Sequence, residues 1–143
     1  MGTLPILLLL SLFQVTPHAA PADPVDLGAG AVVLEVPWGS GGGMLARRDA
    51  DESSAEGPMS FTPAADGGLY VLDQVSNRVV RFAPNGAVLA EIPIPSDTCQ
   101  DLDLAPDGRI LLVDRLVHRA LWVVDEGTGA AMTFPLEGVG IPE

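Results

Sequence analysis

Asp101, Asp103 and Asp107, followed by Gly108, are the closest this chain comes to a set of metal ligands. Oxygen donors spaced like this suit a calcium ion. Their spacing is not that of the helix-loop-helix calcium site, which sets acids at alternate positions of one loop with a bidentate Glu at the end. Leu102 and Leu104 alternate with the acids instead, as in a strand with one wet face. No cofactor is therefore assigned, and calcium is the one metal this chemistry would admit. His118 is of a residue type suited to general acid or base work, but no Gly-x-Ser-x-Gly stands in the sequence to present a nucleophile to it. Cys99 is the sole cysteine, so no disulfide forms within the chain. With neither Lys nor His beside it, its thiol is expected to be inert and partly buried. Asp73 with Arg78, and Asp114 with Arg119, each flank one tight turn. A pair of that kind meeting across an exposed hairpin contributes about 0–1 kcal/mol and is structural. Trp38, Tyr70 and Trp122 are spread along the chain and suit packing more than a stacking platform. No catalytic or metal residue is assigned.

What positions these residues is a block written twice. Asp66, Gly67, Asp73, Arg78 and Gly86 return as Asp107, Gly108, Asp114, Arg119 and Gly127, with apolar residues between them in both copies. A repeat of about forty residues points to β-propeller blades or another stacked array, in which each unit needs neighbours to cover its apolar faces. Each copy reads as four short strands. The first has them at 58–62, 69–72, 78–83 and 87–92, and the second at 100–105, 109–113, 119–125 and 130–134. Asp66-Gly67-Gly68, Pro84-Asn85-Gly86 and Pro106-Asp107-Gly108 supply turns that tolerate positive φ. The second strands, 69–72 and 110–113, are apolar without alternation, which predicts cover on both faces. The predicted fold is all-β: an incomplete β-propeller of two four-stranded antiparallel blades plus one N-terminal outer strand.

That outer strand is an echo of the fourth one. Gly30-Ala31-Val32-Val33-Leu34-Glu35-Val36-Pro37 parallels Gly86-Ala87-Val88-Leu89-Ala90-Glu91-Ile92-Pro93. In a closed propeller such a strand completes the last blade and removes an exposed edge. Between it and the first repeat, 41–57 is Gly-rich and then charged, so it is expected to be a mobile surface loop. Two repeats cannot close a ring, and 138–143 stops where a third would begin. The chain is accordingly expected to be a truncated product or the leading piece of a larger ring.

The mature piece is strongly acidic. Nineteen acidic residues all lie at or after Asp23, against seven arginines and no lysine, for a net charge of −12. A phosphate backbone would be repelled, so nucleic acid is excluded as a partner. Ile6 to Val15 is a short apolar run, too short to span a bilayer as a helix, and Ala20-Pro21-Ala22 offers a small-x-small cleavage site. Secretion or periplasmic export follows, with no integral membrane span after processing. The expected organisation is thus 1–22 signal peptide, 23–40 lone strand, 41–57 loop, 58–95 first repeat, 96–137 second repeat and 138–143 truncated connection.

The run Asp66-Gly67-Gly68-Leu69-Tyr70-Val71-Leu72-Asp73, then Asn77-Arg78-Val79-Val80-Arg81-Phe82 and Asn85-Gly86, resembles the NHL repeat. The second copy is similar but looser: His118 stands in place of the usual Asn before Arg119, and Trp122-Val123 departs from the usual run. The resemblance implies a propeller. Proteins of this kind include protein-binding and RNA-binding scaffolds, a peptide-amidating lyase, and similar metal-dependent lactonases and lyases, whose catalytic residues cannot be placed here by motif. The function expected is a non-catalytic scaffold for a protein or peptide, with self-association to complete a ring as a further possibility. The alternative is a leading fragment of a metal-dependent propeller lactonase or lyase, inactive by itself.

Overall fold

Apolar and β-branched runs bounded by Gly turns become strands in the computed structural model, which describes residues 32, 34–49, 51 and 54–137. The first repeat gives β1 (Ser60–Pro63), β2 (Leu69–Asp73), β3 (Arg78–Phe82) and β4 (Val88–Pro93). The second gives β5 (Asp101–Leu104), β6 (Ile110–Asp114), β7 (Ala120–Val124) and β8 (Ala131–Pro135). Each set forms one four-stranded antiparallel sheet in chain order, joined only by hairpins. Gly67 and Gly108 sit at φ of 83° and 86° in matching turns, a conformation that a Cβ would strain.

Pairing register sorts each sheet into two faces. Tyr70, Leu72, Val79 and Ile92 line one face of the first sheet and pack against Leu102, Ile110, Leu112 and Val124 of the second. Their common burial, with Leu72, Val79, Ile110, Leu112 and Val124 all at 0% exposure, is the main apolar core. The inner strands β1 and β5 lie side by side: Ser60 donates to Asp101 at 2.9 Å and Thr62 to Asp103 at 3.4 Å. Both bonds link residues forty-one positions apart, the offset of the sequence repeat. Two four-stranded meanders stacked face to face, with equivalent inner strands adjacent, are two blades of a β-propeller.

The other face of the first blade is not bare. Val71, Val80 and Phe82 are buried there under Leu34, Val36 and Leu45. Residues 34–37, expected as a paired outer strand, belong to no ladder and instead lay alternate apolar side chains across this face. The physical reason is that an apolar blade face needs cover, and this segment is the one that supplies it. The loop expected to be mobile over 41–57 also carries structure in its described part. Gly43 at φ 74° allows a turn closed by Met44 N–H to Gly41 O at 3.1 Å, which returns the chain so that Leu45 N–H reaches Pro37 O. Arg48 and Glu56 then exchange two backbone hydrogen bonds.

On the second blade Met132 and Phe134 are about half exposed, at 50% and 48%. Register places them in rows with Leu111 and Val123, and with Val113 and Leu121, on the face turned away from the first blade. The segments read as a signal peptide and as a truncated connection lie outside the described residues. Among the described residues no helix is long and apolar enough to cross a membrane.

Candidate functional site

The two ends of the sheets differ in construction. At one end every hairpin is a tight turn closed by its own polar side chain. Asp66, Asn85, Asp107 and Asp125 accept the N–H groups of Gly68, Ala87, Arg109 and Thr128 at 2.8–3.2 Å. At the other end the loops 74–77, 94–100 and 115–119 meet the segments 38–46 and 54–59. Large apolar side chains stand out at this rim: Leu116 is 78% exposed, Val117 61%, Trp38 59% and Met59 51%.

Two buried carboxylates hold the rim loops. Asp73, fully buried, accepts Arg78 Nε at 3.0 Å and the N–H of Ala46 at 3.2 Å. Arg78 continues outward to Met44 O at 2.7 Å and to Glu91 at 3.0 Å. The pair expected on an exposed hairpin is thus covered, because the Gly-rich segment folds over it. Asp114, also fully buried, takes the Thr98 hydroxyl and the N–H groups of Leu116 and Val117. Burial pushes its pKa up, but those donors and the His118 N–H outweigh it and hold the carboxyl below its ordinary range.

Arg119 does not meet Asp114. In the first blade the left-handed residue is Asn77, at φ 55°, and Arg78 stands opposite Asp73. In the second blade Arg119 itself is left-handed, at φ 49°, and Ala120 stands opposite Asp114. The loop is one residue longer there, so residues aligned in sequence are displaced in space. Gly127 is displaced for the same reason: the left-handed glycine of its turn is Gly129, at φ 69°, whereas Gly86 fills that role in the first blade.

Asp66 belongs to an inter-blade cluster. Arg81 bridges Asp66 and Glu126, both at 2.9 Å, and its guanidinium lies 5.3 Å from the Tyr70 ring centre. Tyr70 donates its hydroxyl to Glu126 at 2.7 Å, and burial together with that carboxylate pushes the phenol up to about 12. Sequence reasoning missed Arg81 and Glu126, because the positions forty-one away are Trp122 and Asn85 and carry no echo. The acids considered for calcium do not converge. Asp107 pairs with Arg109 at 2.7 Å in a tight turn, while Asp101 and Asp103 lie along β5. Among the described residues no group of His, Cys, Asp and Glu is placed to hold a metal. His118 meets Trp122 edge to face at 6.0 Å. Cys99 is 1% exposed, and burial with the nearby Asp114 and Asp97 pushes its thiol up to about 11.

Where the rim loops of the two blades meet, they enclose a cleft of about 340 Å³. Glu56, Gln74 and Asp97 line it with acceptors, Met59, Leu116 and Val117 with apolar surface, and Cys99 with its thiol. A second, wider groove of about 780 Å³ runs past Trp38, the Arg47–Asp49 ion pair and Val75. The rim thus sets exposed apolar side chains beside carboxylate and amide oxygens.

No family model and no curated protein matches the chain. Among solved structures it is similar to virginiamycin B lyase from Staphylococcus aureus, at 17% identity and a TM-score of 0.46 over 57% of this chain and 28% of that one. A streptogramin B lyase matches at 17% identity and a TM-score of 0.45, over 56% of this chain and 26% of that one. Hydrazine synthase from Kuenenia stuttgartiensis matches at 20% identity and a TM-score of 0.44, over 52% and 22%. The chain spans less than a third of the length of each of these three. The assignment as propeller blades rests on the two sheets and the buried face between them.

Proposed function

We propose that this chain is an exported, non-catalytic propeller module whose loop rim binds a protein or peptide. The observation that carries this reading is the tip of the 115–119 loop. Leu116 and Val117 are held out in solvent by backbone bonds to the buried Asp114, an arrangement that leaves apolar area exposed on a fixed support. Exposed apolar anchors on a rigid frame lose little entropy on binding. The groups an enzyme would use are engaged in structure instead. Asp114 is saturated with donors, the Cys99 thiol stays protonated near neutral pH, and Asp101 and Asp103 accept the hydroxyls of Ser60 and Thr62. Ring completion by further copies would need the outer face of the first blade, which Leu34, Val36 and Leu45 already cover.

Selection of a displayed peptide library against the full chain tests the reading. Enriched peptides are expected to bind the double variant Leu116→Ser, Val117→Ser about tenfold more weakly and to bind an Asn85→Ser control at the opposite rim unchanged. Peptides indifferent to the double substitution would contradict it.

A further inference from the structure

The cleft between the rim loops has a charge pattern that selects one kind of guest. Asp97 is exposed and accepts no hydrogen bond from any described residue, and Glu56 stands on the same cleft with one oxygen shared with the exposed Arg48. None of the described residues that line the cleft is basic. A second, independent observation comes from Gln74. It is 6% exposed and its amide nitrogen donates to Gly57 O at 2.6 Å, while its Oε1 has no hydrogen-bond partner among the described residues. A buried acceptor without a donor is destabilising by itself, and a native structure that keeps one calls for a donor from elsewhere. Around these acceptors Met59, Leu116 and Val117 present exposed apolar surface, which suits the methylene stem of a long cationic side chain.

We infer that this cleft is a subsite for an arginine or lysine side chain of the partner. The cationic head meets Asp97 and Glu56, and the stem lies along Leu116, Val117 and Met59. The Gln74 amide is drawn into the same donor network by a small shift of its side chain. Arginine is favoured over lysine, because a planar fork of N–H groups can reach carboxylate and amide oxygen together. The inference deepens the proposed peptide-binding role, and the net charge of −12 would speed the approach of such a guest.

The test uses the full chain and a defined probe, N-acetyl-arginine amide, with its neutral isostere N-acetyl-citrulline amide as control. Titration followed by backbone amide shifts is expected to move Asp97, Thr98, Leu116 and Val117 with the arginine probe and leave them still with citrulline. Asp97→Asn is expected to weaken the arginine response about fivefold, and Glu56→Gln to weaken it less, since one of its oxygens is already shared. Neither residue is buried, so both variants keep the fold. Equal responses to the two probes, shifts confined to another surface, or no shift at all would overturn the subsite. The peptide selection described above is read separately. A rim that binds peptides with no preference for a basic residue ends this inference and leaves the wider reading standing.

Discussion

At the scale of the residue, two aspartates with different partners do one job. Asp73 is satisfied by Arg78 and the Ala46 N–H, Asp114 by Thr98 and the N–H groups of its own loop, and both fix a rim loop to the end of a second strand. Removing a buried carboxylate strands its donors, so Asp73→Ala is expected to cost about 3 kcal/mol in urea unfolding, with an unchanged midpoint as the contrary result. For Asp114 the folded pKa is depressed. Its contribution is therefore complete above the unfolded value near 3.9, and is lost as pH falls through the lower folded value. Stability measured from neutrality downward should hold until the acid range, and Asp114→Asn should flatten that final decline. Tyr70 is the only tyrosine, so its ionisation can be followed directly by absorbance. It should titrate near 12 in the native chain, and Glu126→Gln should bring it part of the way towards 10, since burial remains. No movement on that substitution would mean the inter-blade hydrogen bond is not made.

At the scale of the element, loop length decides which repeated residues are equivalent. Arg78 pairs with Asp73, whereas Arg119 occupies a left-handed position that a side chain strains. Arg119→Gly should therefore keep or raise stability, by about 0.5 kcal/mol, whereas Arg78→Gly should lower it by about 3 kcal/mol, because it strands the buried Asp73. Similar losses at both positions would contradict the shifted register. This is also where legibility ended. The strands of the two repeats were readable because apolar runs and Asp-Gly or Asn-Gly turns act locally, and each of those eight predicted strands lies within two residues of the observed one. The displaced roles of Arg119 and Gly127 were not readable, because a single added residue in each loop leaves the sequence offset intact while moving the backbone out of step. Nor was the cover over Val71, Val80 and Phe82: the echo of the fourth strand in 30–37 signals pairing, but burial of a bare blade face won. Of the candidate site, Asp73 and Asp114 were marked by their recurrence. The exposed tip Leu116-Val117 and the acceptors Glu56, Gln74 and Asp97 lie in unrepeated loops, where nothing in the pattern could pick them out.

At the scale of the whole molecule, stacked blades share one apolar layer and leave another uncovered. The first blade has Leu34, Val36 and Leu45 across its outer face, and Val36→Asp should lower stability by about 2 kcal/mol by placing a charge on that layer. The outer face of the second blade carries Met132 and Phe134, half exposed in rows with Val123 and Leu121. Replacing both by lysine should cut the binding of a hydrophobic dye without lowering stability, and undiminished dye binding would place the apolar surface elsewhere. The stacking itself is tested most directly by proton–proton contacts measured in solution from the Tyr70 ring, which resonates without a second tyrosine to confuse it. The two-blade arrangement predicts cross-peaks from that ring to methyl groups of the second blade, among them those of the layer formed by Leu102, Ile110, Leu112 and Val124. Cross-peaks confined to residues 60–93 would show that the sheets do not pack face to face, and would contradict the fold from which every functional statement here is built.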